Sequence, residues 1–319
     1  MSKLSKIALI LAVIGVFGMS AQAADNWPDR AVEFVVPANP GGDTDINCRV
    51  FLKYLEKELG QSMVVVNMAG AAGTVGMTNV LQARPYGYRA LFFHSGALIA
   101  NIMEFTDLKV HEDFKIAAMP VIDKSNCFAT NVKAPYNNIK ELVEYAKANP
   151  GKVSFATESG SFTHLHVLAL EEAAGIKLNV ADAGTASEKI TALLGGRIDI
   201  IGTQYGLIKD YIKNGEFKCI GILSDKPLEG ADAPTFADAG YPLVFDKFFY
   251  VAFPKGTPKE IIEKFNAASK KVAENPDYIA DCAKNFVNAN YFTPEEANKY
   301  VQDQDKLYRK YESALLGGN

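Results

Sequence analysis

The sequence predicts an α/β fold of two domains, each built on an open, mostly parallel sheet with helices on both faces. Three observations predict it. Strand-like apolar runs alternate with segments of helical period along most of the chain. The alternation starts afresh near Ser125, which means two sheets. Two helices then close the chain after the second set, so the first domain is discontinuous and the chain crosses between domains twice, near residues 122–130 and 243–252. These limits give a first lobe of residues 24–126 plus 248–319 and a second of 127–247, with the two crossing strands as a hinge.

The elements follow in order. Residues 31–36 form the first strand. Residues 44–59 form a helix, because Cys48, Phe51, Leu52, Leu55 and Leu59 recur at three and four and Gly60 stops the run. Residues 63–67 are the second strand; a glycine loop feeds a helix over 74–83, and 90–93 is a third strand. In the second set, a helix over 138–149 ends at Pro150-Gly151. Strands over 152–157, 177–181, 198–202 and 217–223 alternate with helices over 163–174, 187–194 and 205–213. Residues 225–242 carry no period. Helices over 258–274 and 294–315 finish the chain.

Bulk properties narrow the function. The chain has 319 residues, 48% hydrophobic and 22% charged, an ordinary globular balance. Residues 1–23 carry Lys3 and Lys6, an apolar run over 7–19 and Ala21-Gln22-Ala23, the layout of a secretory signal peptide cleaved near Ala23. The run is short for a membrane span, which takes about 20 residues. The expected product is periplasmic. Beyond the leader stand 31 basic against 37 acidic residues, a balance that argues against a nucleic-acid partner. Cys48, Cys127, Cys219 and Cys282 match no metal spacing. They allow three full disulfide connectivities, or buried free thiols.

Ligands of open parallel sheets sit outside the carboxyl ends of the strands. Four strand-to-helix loops there are rich in glycine and enter a helix at or beside Thr or Ser. The first offers Ala38, Asn39, Gly41, Gly42, Asp43 and Thr44; the second, Gly73 and Thr74. The third offers Ser159, Ser161, Phe162, Thr163 and His164; the fourth, Asp182, Gly184 and Thr185. Ser95 and Gln204 join them as ligand-facing candidates. Glycines let the backbone approach a partner, and helix starts present free N–H groups and the positive dipole end. The reading is an anion site made of peptide nitrogens, without a cationic side chain.

Catalytic alternatives find little footing. His164 and His166, two apart on a helix, face different ways and cannot chelate one metal. Gly-x-Ser-x-Gly is absent around Ser159 and Ser161. Gly70, Gly73 and Gly76 do not make a dinucleotide fingerprint. Phe248, Phe249 and Tyr250 suit core packing better than a ligand wall. No catalytic residue, metal or cofactor is expected.

At these loops the chain resembles the substrate-binding proteins of tripartite tricarboxylate transporters, the Bug family. The resemblance rests on Pro37-Ala38-Asn39-Pro40-Gly41-Gly42-Asp43-Thr44-Asp45, and on Leu59-Gly60-Gln61 followed by Asn67 and Gly70 to Gly76. Gly160-Ser161-Phe162-Thr163-His164-Leu165 and Gly195-Gly196-Arg197-Ile198-Asp199 extend it over nearly the whole chain beyond the leader. It implies a two-lobed, Venus-flytrap receptor for a small organic acid: a di- or tricarboxylate, an aromatic acid or an acidic amino acid. Such a receptor hands the acid to membrane permease subunits. A sensor without transport and an exported α/β enzyme are the alternatives. The chain departs from the family where Ala38 replaces an aromatic residue, and Asp43 an apolar or small one. Asp182 lies in a loop that is usually Pro-Tyr-Lys-Gly. Two carboxylates at the mouth would favour an amine-bearing ligand or an acid delivered with a cation, unless they pair with a nearby Lys or Arg or are solvated loop acids or helix caps.

Overall fold

Val32–Val36 (β1) runs into Asp43–Leu59 (α1), whose Cys48, Phe51, Leu52 and Leu55 are buried and whose end is set by Gly60 in the left-handed conformation. Met63–Asn67 (β2), Thr74–Leu81 (α2) and Arg89–His94 (β3) follow, then Gly96–Ile102 (α3), Val110–Asp113 (α4) and Phe114–Asp123 (β4). The second unit comprises Asn126–Asn131 (β5), Ile139–Ala148 (α5), Ser154–Thr157 (β6), Phe162–Ala174 (α6), Asn179–Asp182 (β7), Ala186–Leu194 (α7), Ile200–Gln204 (β8), Tyr205–Lys213 (α8) and Phe217–Ile222 (β9). Lys247–Pro254 (β10) returns to the first unit, which ends with Lys259–Glu274 (α9), Pro276–Lys284 (α10), Asn288–Ala289 (β11), Pro294–Tyr308 (α11) and Glu312–Leu315 (α12). The computed structural model describes residues 26–241 and 243–317. The expected leader, residues 1–23, lies outside them.

The first sheet has the order β11-β4-β10-β3-β1-β2 and the second β7-β6-β8-β5-β9. Among the described residues, the parallel ladders are those of the strand–helix cores, β2-β1-β3 and β7-β6-β8, and an isolated parallel bridge joins Ile222 to Thr235. All other ladders are antiparallel, because the strands that carry the chain between lobes enter and leave against the parallel core. The sheets are therefore mixed more evenly than the expected, mostly parallel pattern. β10 is buried along its whole length, as its Phe-Phe-Tyr-Val-Ala-Phe run requires of a central strand.

One apolar core extends from the first sheet to the second. Phe93, Phe248 and Tyr250 belong to the same cluster as Phe128, Phe155 and Phe162. Tyr308, on α11, packs against Phe162 of α6 at 5.9 Å and Phe245 at 6.3 Å between ring centroids, so the last long helix braces both lobes. The four cysteines are buried and free.

The crossings lie side by side. Lys247, the first residue of β10, stands opposite Asp123, the last of β4. Asp123 ties the first crossing by accepting from Ser125 N at 2.7 Å, Ser125 Oγ at 2.6 Å and Asn126 Nδ2 at 2.8 Å. Burial pushes its carboxyl up to about 6, against those bonds.

The closing region holds more than the two expected helices. Asn275 accepts from Asp277 N and Tyr278 N, and Pro276 occupies the first turn, which starts α10 between the two expected helices. The last helix stops at Tyr308 and resumes as α12 after a 3-10 turn.

Candidate functional site

The amino ends of α1, α3, α6 and α7 converge on a cavity of about 40 Å³ between the two sheets, room for roughly three waters. From the first sheet's side come Asp43 and Thr44 of α1, Phe93 and His94 of β3, and Gly96 of α3. From the second come Glu158 after β6, Ser161 to Thr163 at the start of α6, and Thr185, Ala186 and Lys189 around the start of α7. Lys247 enters from the crossing strand. The α6 cap residue, Ser161, makes no side-chain hydrogen bond to the backbone amides of the first turn, so that turn's dipole faces the cavity uncapped.

Two buried lysines dominate the electrostatics. Lys247 Nζ makes a short ion pair with Asp43 Oδ2 and sits over the Phe249 ring, 5.3 Å from its centroid. Asp43 Oδ1 accepts from Thr44 N at 2.7 Å. Burial works against the Asp43 carboxylate, yet the Lys247 ammonium beside it, with His94 and Lys189 further off, holds its pKa well below the usual range. This pair is self-sufficient. Lys189 is different: it is 4% exposed and, among the described residues, its Nζ donates only to Thr163 Oγ1, at 3.2 Å. That hydroxyl lies 2.7 Å from Thr157 Oγ1 and 3.0 Å from Ser161 Oγ, a small polar cluster under the ammonium. Burial and the repulsion of Lys247 bring Lys189 down to about 8, although Glu158, Asp43 and Asp182 pull it up. A buried ammonium with one neutral partner has strong unmet demand for an anion.

Glu158 and His94 complete the lining. The Glu158 carboxylate is half-buried, and burial first of all raises its pKa. Among the described residues it has neither a hydrogen-bond partner nor an ion pair. His94 Nδ1 accepts from Gly96 N at 2.8 Å, which puts the ring proton on Nε2. Burial, then Lys247, pushes the imidazole well below its usual pKa, so it is a neutral donor. The arrangement demands glycine at 96, since a Cβ there would lie 2.4 Å from His94 Cε1.

The lobes meet at the rim. Asn39 Nδ2 donates across the cleft to Thr185 Oγ1 at 3.4 Å and Glu188 Oε2 at 3.2 Å. Ala71 and Ala72 both have positive φ, an uncommon conformation for alanine, and this turn brings Ala72 to face Gly160. Gly160 has φ +76°, and a Cβ added there would stand 2.6 Å from the Phe105 ring and 3.1 Å from Ala72. Gly160→Val is therefore expected to wedge the lobes apart. If it cuts the closed population to a tenth, apparent ligand affinity falls about tenfold; calorimetry reads the loss, and small-angle scattering reads the more open shape.

The sequence profile of the tripartite tricarboxylate transporter family receptor, TctC, matches residues 48–312. The chain belongs to that family. Its relatives include BugT of Bordetella pertussis, 31% identical over 306 residues that span 92% of this chain and 94% of that protein. The receptor's fold matches the periplasmic binding protein BugD with a TM-score of 0.84, at 28% identity over 91% of this chain and 98% of that one. MatC of Rhodopseudomonas palustris, solved with bound malate, shares the fold with a TM-score of 0.83 at 23% identity, covering 90% of this chain and 100% of that one.

The receptor brings only part of the expected set to the cavity. Ala38, Asp43, Thr44, Ser161, Phe162, Thr163 and Thr185 line it. Asn39 bonds across the rim instead. Gly41 and Gly42 spend their amides inside the loop, on Asp45 Oδ2 and Asn39 O. Gly73 lies behind the Phe93 ring, where a Cβ would meet Phe93 Cζ at 2.3 Å, and Thr74 does not line the cavity. Asp182 is exposed and accepts from Ser159 N and Gly184 N, so three expected ligand residues serve one loop-to-loop brace. His164 Nδ1 accepts from Gly160 N, and the residue lies on an outer groove beside Leu168 and Tyr311. His166 is buried between Phe162 and Phe245. Ser95 and Gln204 are buried and displaced by one residue from the lining positions His94 and Thr203. In β8 the alternation of the strand turns Gln204 to the other face.

The expectation of an anion site without cationic side chains is corrected on both counts. Much of the loops' amide capacity is used by their own acceptors, as Thr185 N on Glu188 Oε2 also shows, and two lysines stand in the cavity. Lys189 carried a sequence signal: with Ala186 and Leu193 it occupies the apolar stripe of its helix, where a charge is out of place. Lys247 carried one too, as a lone charge leading an apolar strand.

Proposed function

We propose that this receptor captures a small carboxylate in the interlobe cavity by hinge closure and delivers it to membrane permease subunits. Lobe 1 is then residues 24–126 plus 248–319 and lobe 2 residues 127–247, and export removes residues 1–23. The observation that carries the reading is Lys189, a buried ammonium at the meeting point of helix amino ends with no anionic partner within ion-pair distance among the described residues. The carboxylate takes that place, with Thr44, Ser161 and His94 Nε2 as further donors. Bonds across the rim from Asn39 to Thr185 and Glu188 favour closure once the charge is met. Malate and adipate in relatives of the same fold support the acid class. The receptor releases its ligand unchanged.

Among the described residues, no helix is long and apolar enough to cross a membrane. The test is calorimetry against a panel of mono-, di-, tricarboxylic and aromatic acids, with the recovered ligand assayed by NMR for turnover. Saturable binding of one acid, recovered intact, supports the reading. Absence of binding across the panel, or conversion of the acid, contradicts it.

A further inference from the structure

Four charged groups line the cavity, and two of them are unmatched. Asp43 and Lys247 neutralise each other. Lys189 bonds only Thr163, and the Glu158 carboxylate accepts no hydrogen bond among the described residues. Lys189 and Glu158 come from the same lobe and face the same cavity, yet they are too far apart to make an ion pair. The lining thus presents one positive and one negative group, separated, with a net charge of zero. A dicarboxylate would put two negative charges into this space against one available cation and one carboxylate. A zwitterion meets both charges at once.

Resting on the carboxylate reading above, we infer that the ligand is an amine-bearing carboxylate, with its carboxylate on Lys189 and its ammonium on Glu158. Glu158 is then the specificity-determining residue for the amine. The raised pKa of Glu158, which a nearby ligand ammonium would lower, agrees with this placement. Asp182, one of the two carboxylate departures noted in the sequence, plays no part, because its oxygens are held by Ser159 N and Gly184 N.

Matched pairs that differ only in ammonium against hydroxyl test the inference by calorimetry: L-alanine and L-lactate, L-serine and L-glycerate, L-aspartate and L-malate, with succinate alongside. At least one amine is expected to bind about tenfold or more tighter than its hydroxy partner. Glu158→Gln, checked for folding by circular dichroism, is expected to bring that pair within about threefold, the amine losing affinity as its counter-charge is removed. Hydroxy acids or succinate binding as tightly as the amines would overturn the inference and leave carboxylate capture standing. A preference for amines that survives Glu158→Gln would overturn the assignment of the ammonium to Glu158. No binding by any of these acids, with the larger acids of the panel equally silent, would remove the capture reading itself.

Discussion

Replacing Lys189 with methionine is expected to weaken ligand binding by about 30- to 1,000-fold, the cost of removing one partner of a buried, hydrogen-bonded charge pair. The same change is expected to leave the unliganded protein at least as stable. Methionine keeps the apolar stem, and the ammonium is costly without an anion, as its drop to about 8 records. The pH dependence has a definite sign. Lys189 loses its proton near pH 8 in the folded chain and near its ordinary 10.5 when unfolded. Between these values the unfolded state holds more protons, so stability gains a contribution on the order of 3 kcal/mol as pH rises through this window. Ligand affinity moves the other way, falling above pH 8 as the ammonium discharges. Urea unfolding of wild type and Lys189→Met at pH 7 and pH 9.5 reads the first effect, and calorimetry at the same pH values reads the second. A variant that binds normally would remove Lys189 from the site.

Asp43→Asn is expected to cost about 3–5 kcal/mol of stability, because it strands Lys247 in the interior without its counter-charge. The double change Asp43→Leu, Lys247→Met is expected to recover most of the loss, since an apolar pair of similar volume avoids the desolvation of both ions. The wild-type pair has its own pH signature. The carboxyl of Asp43 is held well below the 3.8 of an unfolded aspartate, so its stabilisation is complete above about pH 4 and fades as pH falls through lower values. Asp43→Asn loses that acid sensitivity along with the stability. Urea midpoints between pH 2 and pH 7 for the three proteins check each part. A wild-type stability for Asp43→Asn would show that Lys247 has another partner.

Much of the fold was legible because local signals agreed with the global pattern. The spacing of Cys48, Phe51, Leu52 and Leu55, closed by Gly60, defines α1 within one residue of its observed start. The break at Ser125 coincides with the crossing that Asp123 ties down. What escaped depended on side chains from distant segments. α3, which begins at Gly96, has the composition of a buried strand, so its period carries no contrast.

The loops that form the cavity were found by composition, but composition does not say where an N–H group points. Asp45 takes the Gly41 amide, Asp182 takes those of Ser159 and Gly184, and Glu188 takes that of Thr185. Each acceptor is an ordinary acidic residue that reads in isolation as a solvated loop acid or a helix cap. Conversely, Asp43 looks repulsive to an anion in sequence, and only the return of the chain at Lys247, 204 residues later, cancels its charge.

The most direct measurement is a crystal structure of the receptor with the tightest-binding acid of the panel. The expected result is a carboxylate oxygen about 3 Å from Lys189 Nζ, enclosed by both lobes, with Asn39 still bonded across the rim. Ligand density in the outer groove beside His164 and Tyr311, or in the cavity with Lys189 contacting only Thr163, would contradict it.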